Sequence, residues 1–414
     1  MNQVSPPEVS TDPVPMPRRR VAWRMRLLAV SLPLVLLVVL ELVLRVAGVF
    51  PDNSSQLNPV GFESGTSFFP EWDQKLGTPK GEGTRRIFTL GGSCTYGFGV
   101  EKPFGDLLAD PASRSPLEVI NGGYPAYGSH RVLAIARRAA RFSPDWLVVY
   151  MGHNEFLEDV FYDPEGLVAR MEQAGEFARG LHVVNGVRVL LGESTTAVHS
   201  ELPAEFFGNE NYPLIKSPDM VPLRMSLLRE HVLGIVEAGR RAGAVVIIVP
   251  AVPNLLAPPG DSVHGPGVDA RSGRLGELKR AADRKFQARD WQGLGETATE
   301  LIALDDHFAM SHFWQGLSLL GRGMVEQGRE SLVEANRRDR RGTRSNPQVI
   351  ETISQAAAES GARLLKVDRL FDRKLESEFQ RLIDGGDQEL FLDHCHPTQA
   401  GHALIAGAVR ELLE

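Results

Sequence analysis

Ile87-Phe88-Thr89-Leu90-Gly91-Gly92-Ser93-Cys94-Thr95-Tyr96-Gly97 runs from a short apolar stretch into a glycine pair, and a serine follows at once. The apolar stretch reads as a buried strand. Two glycines at its end let the backbone turn sharply and leave the serine hydroxyl and its own N–H open. An α/β fold presents a nucleophile at the carboxyl end of a strand in this way. The same serine also suits the cap of a following helix. The far end of the chain separates the two.

There, Leu390–Leu392 reads as a last strand-like piece leading into Asp393-His394-Cys395-His396-Pro397-Thr398-Gln399-Ala400-Gly401-His402. Asp393 and His396 are three apart, on a loop ahead of the final helix. That spacing lets the carboxylate accept a hydrogen bond from one imidazole nitrogen and leaves the other nitrogen for the Ser93 proton. A serine hydroxyl becomes a nucleophile only when a neighbouring base removes its proton. The carboxylate fixes the tautomer and stabilises the imidazolium that forms.

Between these ends the pattern alternates. A strand is expected at 85–90, then another at Leu117–Ile120, ending in Asn121-Gly122-Gly123-Tyr124-Pro125-Ala126-Tyr127-Gly128-Ser129. Helical spacing of Val132, Leu133, Ile135, Ala136, Ala139 and Ala140 predicts a helix from His130 to Phe142. Asp145–Met151 is near-continuously apolar, as in a parallel strand buried on both faces, and runs into Gly152-His153-Asn154-Glu155. Residues 156–222 read as irregular with short helices. A helix at about 223–242, a strand at Ala244–Pro250, a helix at about 346–360 and strand character at Ala362–Asp368 complete a doubly wound pattern.

From about 273 to 340 the texture is helical with no strand between. In His312–Asp339 small and large residues alternate at Gly316, Leu319, Gly328, Leu332 and Ala335, as closely crossing helices require. Ala281–Asp305 looks like a degraded copy, Asp305 falling 34 residues before Asp339. The segment resembles a tetratricopeptide repeat of at most two units, inserted within the α/β domain. Trp291 and Trp314 read as packing residues of this insert.

The chain has 414 residues, a net charge of −7 and 43% apolar residues, which gives no sign of a nucleic-acid partner. Its two cysteines, Cys94 and Cys395, rule out a disulfide framework. Each adjoins a residue expected in the site, so the pair could meet, and small buried thiols are the expected state. Residues 1–26 read as a disordered basic tail carrying Arg18, Arg19, Arg20, Arg24 and Arg26. Apolar character from Leu27 to Val49, broken only by Glu41 and Arg45 one helical turn apart, predicts an uncleaved transmembrane anchor over 27–49. The arginines keep the N-terminus inside, so everything after residue 50 is expected outside the cytoplasm. Residues 50–84 read as a linker, 85–262 and 343–414 as the two parts of the α/β domain, and 273–340 as the insert.

Attack by Ser93 creates an oxyanion, and each donor aimed at it is typically worth about 100–1000-fold in rate. The candidates are the N–H of Ser93, a backbone N–H in the 123–126 loop and the side-chain amide of Asn154. Gly-Gly-Ser-x-Thr-x-Gly, an Asn-x-Gly loop, Gly-x-Asn-Glu and Asp-x-x-His-Pro, in that order over residues 87–402, resemble the four blocks of the SGNH (GDSL-type) hydrolase family. The resemblance implies a flavodoxin-like doubly wound parallel sheet, a Ser93–His396–Asp393 triad and Asn154 in the oxyanion hole. No cofactor and no metal are expected. Ala126 stands where the family usually has glycine, and if that position needs positive φ, Gly123 becomes the alternative donor. Glu155 replaces the usual aspartate. The anchor, ending in Glu-Leu-x-Leu-Arg, is also similar to envelope proteins related to alginate O-acetyltransferases.

His153, Glu155, Asp393, His394 and His396 could suggest zinc, but no HExxH or paired-Cys spacing accompanies them. The glycines of 91–99 lack the Lys-Ser or Lys-Thr of a phosphate loop. His394 and His402 read as structural or exposed. The expected activity is that of a membrane-anchored serine esterase or O-acyltransferase acting on a short-chain ester of an envelope carbohydrate or lipid. The alternative is a catalytically vestigial scaffold that binds a protein partner through its insert.

Overall fold

The computed structural model describes residues 36–44, 46–47, 76, 80–109, 117–157, 220–270 and 273–413. The chain divides into two units, 1–53 with 174–193 and 54–173 with 194–414. Of the first, only helical residues 36–44 and 46–47 are described. Among the described residues no helix is long and apolar enough to cross a membrane. The expected span 27–49 lies mostly outside them, as do the N-terminal tail, most of the linker and most of 156–222. The remaining description concerns the second unit.

Among the described residues five parallel strands form its sheet: β1 (Arg85–Gly91), β2 (Leu117–Gly123), β3 (Trp146–Met151), β4 (Val245–Pro250) and β5 (Arg363–Leu364), in the order β2-β1-β3-β4-β5. Ile87 pairs with Val119 on one side and Trp146 on the other, and Leu147 pairs with Val246. Alternate residues of each central strand enter different cores. Phe88, Leu90, Leu147, Val149 and Ile248 face one, and Ile87, Val148, Tyr150, Ile247 and Val249 face the other. That is why the strands read as continuous apolar runs.

Helices α1 (Ser93–Tyr96), α2 (Ser129–Ala139), α3 (Val221–Arg241) and, later, α8 (Pro347–Ser360) and α11 (Gln399–Arg410) connect and cover the strands. Val132, Ile135, Val232, Ile235, Val349 and Ile353 cover the first face, and Ile405, Ala406 and Val409 the second. Pro347 enters α8 behind an Asn346 side chain that accepts from the N–H groups of Gln348 and Val349, and Gly361 ends it in the left-handed region.

The insert is four consecutive helices with their own core: α4 (Gly273–Gln287), α5 (Trp291–Leu304), α6 (Ala309–Gly321) and α7 (Val325–Arg338). Both bounds of α7 lie 34 residues after those of α5. Asp305 and Asp339, at the ends of these two helices, are buried and accept N–H groups from one loop: Gly265 on Asp305, Gly260 and Asp261 on Asp339. Gly316 of α6 meets Gly328 of α7 at the crossing. A Cβ on Gly316 would lie 2.6 Å from Leu332 Cγ.

Two expectations are corrected. Leu390–Leu392 is not a strand of the sheet: Phe391 forms a single antiparallel bridge to Pro397, six residues on. Strand character at Ala362–Asp368 shrinks to Arg363–Leu364, because the chain turns into α9 (Asp368–Asp372), whose Phe371 joins the second core, while α10 (Leu375–Ile383) packs Leu375 and Phe379 into the core of the insert.

Candidate active site

Strands β2, β1 and β3 deliver the site at their carboxyl ends, where the strand order changes direction and open α/β sheets bind ligands. Gly91 leaves β1 at φ +157, and a Cβ there would lie 2.1 Å from Tyr150 O. Gly92 then caps α1, so Ser93 is the first helical residue and not its cap. The Asn121 amide donates to Thr95 O at 2.9 Å, and Thr95 Oγ1 donates to Tyr150 O at 3.2 Å. The turn that carries Ser93 is therefore tied to both neighbouring strands.

Ser93 Oγ lies 2.8 Å from His396 Nε2, and His396 Nδ1 lies 2.6 Å from Asp393 Oδ2. The other carboxylate oxygen accepts the N–H groups of Cys395 and His396, each at 2.8 Å. The loop closes on itself through Leu392 N–H to His396 O at 2.8 Å and Thr398 N–H to Leu390 O at 2.9 Å. Thr398 Oγ1 accepts from Gly401 N–H and caps α11. Asp393 and His396 are thus held by a small closed turn between β-bridge and helix.

Burial opposes charge on both groups. The hydrogen bond from His396 and two backbone N–H groups overcome it at Asp393 and hold that carboxyl well below the usual carboxylate range. At His396 the bond to Asp393, with Cys395 beside it, overcomes burial and lifts the imidazole above its ordinary value. The pair favours imidazolium beside carboxylate, the charge state that follows proton abstraction from serine.

The three oxyanion candidates come to the same end of the sheet. Asn154 is buried, and its Nδ2 donates to Tyr127 O at 3.1 Å, which leaves one amide hydrogen unspent. Among the described residues the N–H groups of Ser93 and Ala126 have no hydrogen-bond partner. Ala126 does sit in the left-handed region, at φ +62. The alternative donor Gly123 is set aside, because its N–H is committed to Asn121 Oδ1 at 2.8 Å.

Two further histidines at this end of the sheet are acceptors of backbone N–H groups. His153 Nδ1 accepts from Ser345 N–H at 3.0 Å, and burial lowers its pKa to about 3. His402 Nδ1 accepts from Phe104 N–H at 3.1 Å, and burial lowers its pKa to about 4. His394 Nδ1 stands 3.8 Å from Asp393 Oδ1 and is partly exposed. Glu155 accepts Ser129 N–H at 3.1 Å, well spent at the start of α2.

Both cysteines are free and buried, with Cys94 Sγ donating to Cys395 O at 3.4 Å. Ligand atoms of Cys94, Cys395 and His396 lie within 4.8 Å of one another, a spacing compatible with a metal. Contact with Cys94 and burial push the Cys395 thiol far up, which opposes the thiolate a metal requires.

Two features carried no usable sequence signal. Asn254, after β4, donates its amide to Asp393 O at 2.8 Å, and its N–H donates to His394 O at 3.1 Å. It braces the histidine loop from a position with no motif around it. Tyr96 and Phe98 rim the serine, 53% and 50% exposed, and the Phe98 ring centroid lies 4.6 Å from that of His396.

No family model and no curated protein matches the chain. Among solved structures it is similar to a lipase/acylhydrolase from Enterococcus faecalis, at 12% identity over 80% of this chain and 95% of that one, with a TM-score of 0.34. It is also similar to a GDSL-like lipase from Bacteroides thetaiotaomicron, at 10% identity, 83% and 95% coverage and a TM-score of 0.35. An acetyl xylan esterase aligns at 8% identity over 80% of this chain and all of that one, with a TM-score of 0.34. At such values the functional conclusion is left to the chain's own side-chain geometry.

Proposed function

We propose that the protein is a serine ester hydrolase or O-acyltransferase. The observation that carries this is the continuous Asp393–His396–Ser93 hydrogen-bonded array at the carboxyl end of β1. Ser93 Oγ adds to the ester carbonyl carbon as its proton passes to His396 Nε2. The oxygen that becomes negative takes hydrogen bonds from Ser93 N–H, Ala126 N–H and the spare Asn154 amide hydrogen. Collapse expels the alcohol, which receives the proton from His396, and leaves Ser93 acylated. Water, or an acceptor hydroxyl in a transferase, repeats the sequence in reverse.

A short acyl chain on a carbohydrate is the favoured substrate. Exposed Tyr96 and Phe98 beside Ser93 support it, since aromatic faces suit the apolar faces of sugar rings. The apolar segment and arginine cluster before residue 50 support a single-pass anchor in the cytoplasmic membrane with the catalytic domain outside. The 34-residue offset of α5 and α7 supports a tetratricopeptide-like pair as a partner surface.

The full-length chain, mixed with p-nitrophenyl acetate and quenched, should carry an added acetyl on Ser93 by mass spectrometry and should release p-nitrophenol. Ser93→Ala should do neither. Equal turnover by both forms, with Ser93 unmodified, would leave a scaffold protein with a vestigial site.

A further inference from the structure

A cavity of about 240 Å³ lies between the helical insert and the segment approaching the histidine loop. Its walls come from α7, the first turn of α8, helices α9 and α10, the segment after β4, and Leu390 with Phe391. None of Ser93, Ala126, Asn154 or His396 lines it. Much of the wall is apolar, with Leu256, Phe371, Leu375, Leu390 and Phe391 all buried.

Its polar groups are unbalanced. Glu351, Asp368, Asp372 and Glu378 line it against one guanidinium, Arg329. Arg329 Nε is held by Asp372 Oδ2 at 2.6 Å. Glu378 spends both oxygens on the N–H groups of Glu389 and Leu390. Asp368 is different: its Oδ1 is enclosed and has no hydrogen bond among the described residues. Asn336, also in the wall, donates to Ser345 O at 2.8 Å, while its Oδ1 is buried without a donor among the described residues. Buried acceptors lacking donors are uncommon in folded proteins, and here two belong to one cavity wall. The excess is in acceptors and negative charge.

We propose that this cavity is a binding site for a small amphiphilic amine. The ammonium group pairs with Asp368, and the apolar body packs on Phe371, Leu375 and Phe391. Anions are disfavoured by the same carboxylates. Asn254 belongs to this wall, and its amide donates to Gln388 Oε1 at 2.7 Å as well as to Asp393 O. The site therefore borders the residue that braces the histidine loop.

Isothermal titration of the full-length chain at pH 7 with 4-phenylbutylamine should give one site, with 4-phenylbutanoate at least tenfold weaker. Asp368→Asn should weaken the amine at least tenfold, and Val333→Trp, which fills the cavity from α7, should abolish binding. Ser93→Ala should bind the amine as the unaltered chain does, so this site and the ester chemistry fail separately. No binding, equal affinity for amine and carboxylate, or undiminished binding by a folded Val333→Trp would overturn the proposal. If Val333→Trp loses its helical circular dichroism, Asp368→Asn decides: unchanged amine affinity in that variant rejects the site.

Discussion

Gly92 and Asn154 touch across the ends of β1 and β3: a Cβ built on Gly92 would lie 2.5 Å from Asn154 Nδ2 and 3.1 Å from Tyr127 O. The second glycine of the motif thus makes room for an amide, besides easing the turn. Gly92→Ala should displace Asn154 and lower kcat toward p-nitrophenyl acetate about 100-fold, the scale of one oxyanion donor. Asn154→Ala should lose a similar amount. The double variant should lose little more, because both changes remove one contact. Fully additive losses would show that Gly92 acts through something other than Asn154.

The charge state of His396 sets the pH dependence. Neutral imidazole must accept the serine proton, and the bond to Asp393 raises the pKa of His396 above its ordinary value. The active form therefore grows as pH rises, and kcat/KM should climb from neutral into the alkaline range. Asp393→Asn removes the charge that favours imidazolium. Its plateau should fall, and the rising limb should move to lower pH, toward or below the ordinary histidine value of about 6.5. Background-corrected pH–rate profiles of both forms decide. An unmoved limb would mean that the titrating group is not His396.

Much of this geometry was legible because it is written in short-range signals. The apolar runs at 87–90, 146–151 and 245–250 follow from burial on two faces, and Ser93, Asn154, Asp393 and His396 each sit within a few residues of a strand end or turn. Leu390–Leu392 misled because an apolar triplet does not reveal its pairing partner, which proved to be Pro397 in the same loop. Helix α10 leaves little trace in the sequence although Leu375 and Phe379 lie one turn apart and are both buried. Nine residues bear too little periodicity to stand out. Asn254 acts through backbone atoms 139 and 140 positions away, and only the fold brings them together.

Packing at the insert crossing is tight enough to test by one methyl group. Gly316→Ala would set its Cβ 2.6 Å from Leu332 Cγ and 3.0 Å from Gly328 O. Overpacking of this kind costs roughly 1–3 kcal/mol, which should appear as a lower urea midpoint. Leu332→Ala in the same chain removes the nearer obstacle, so the double variant should lose less than the sum of the two single changes. Simple additivity would place Gly316 away from that contact in solution.

Ala126 holds left-handed backbone at φ +62 in the loop proposed to offer a donor to the oxyanion. For a residue with a Cβ that conformation costs about 1–2 kcal/mol. Glycine removes the strain but frees the unfolded chain, at about 0.4–1 kcal/mol against folding. The balance predicts that Ala126→Gly stabilises the protein by about 0.5–1 kcal/mol. The donor is the backbone N–H, which the substitution leaves in place, so kcat toward p-nitrophenyl acetate should change less than twofold. Urea denaturation and initial rates of the glycine variant test both halves: lower stability would contradict the strained backbone, and a large fall in kcat would assign the role to the methyl group.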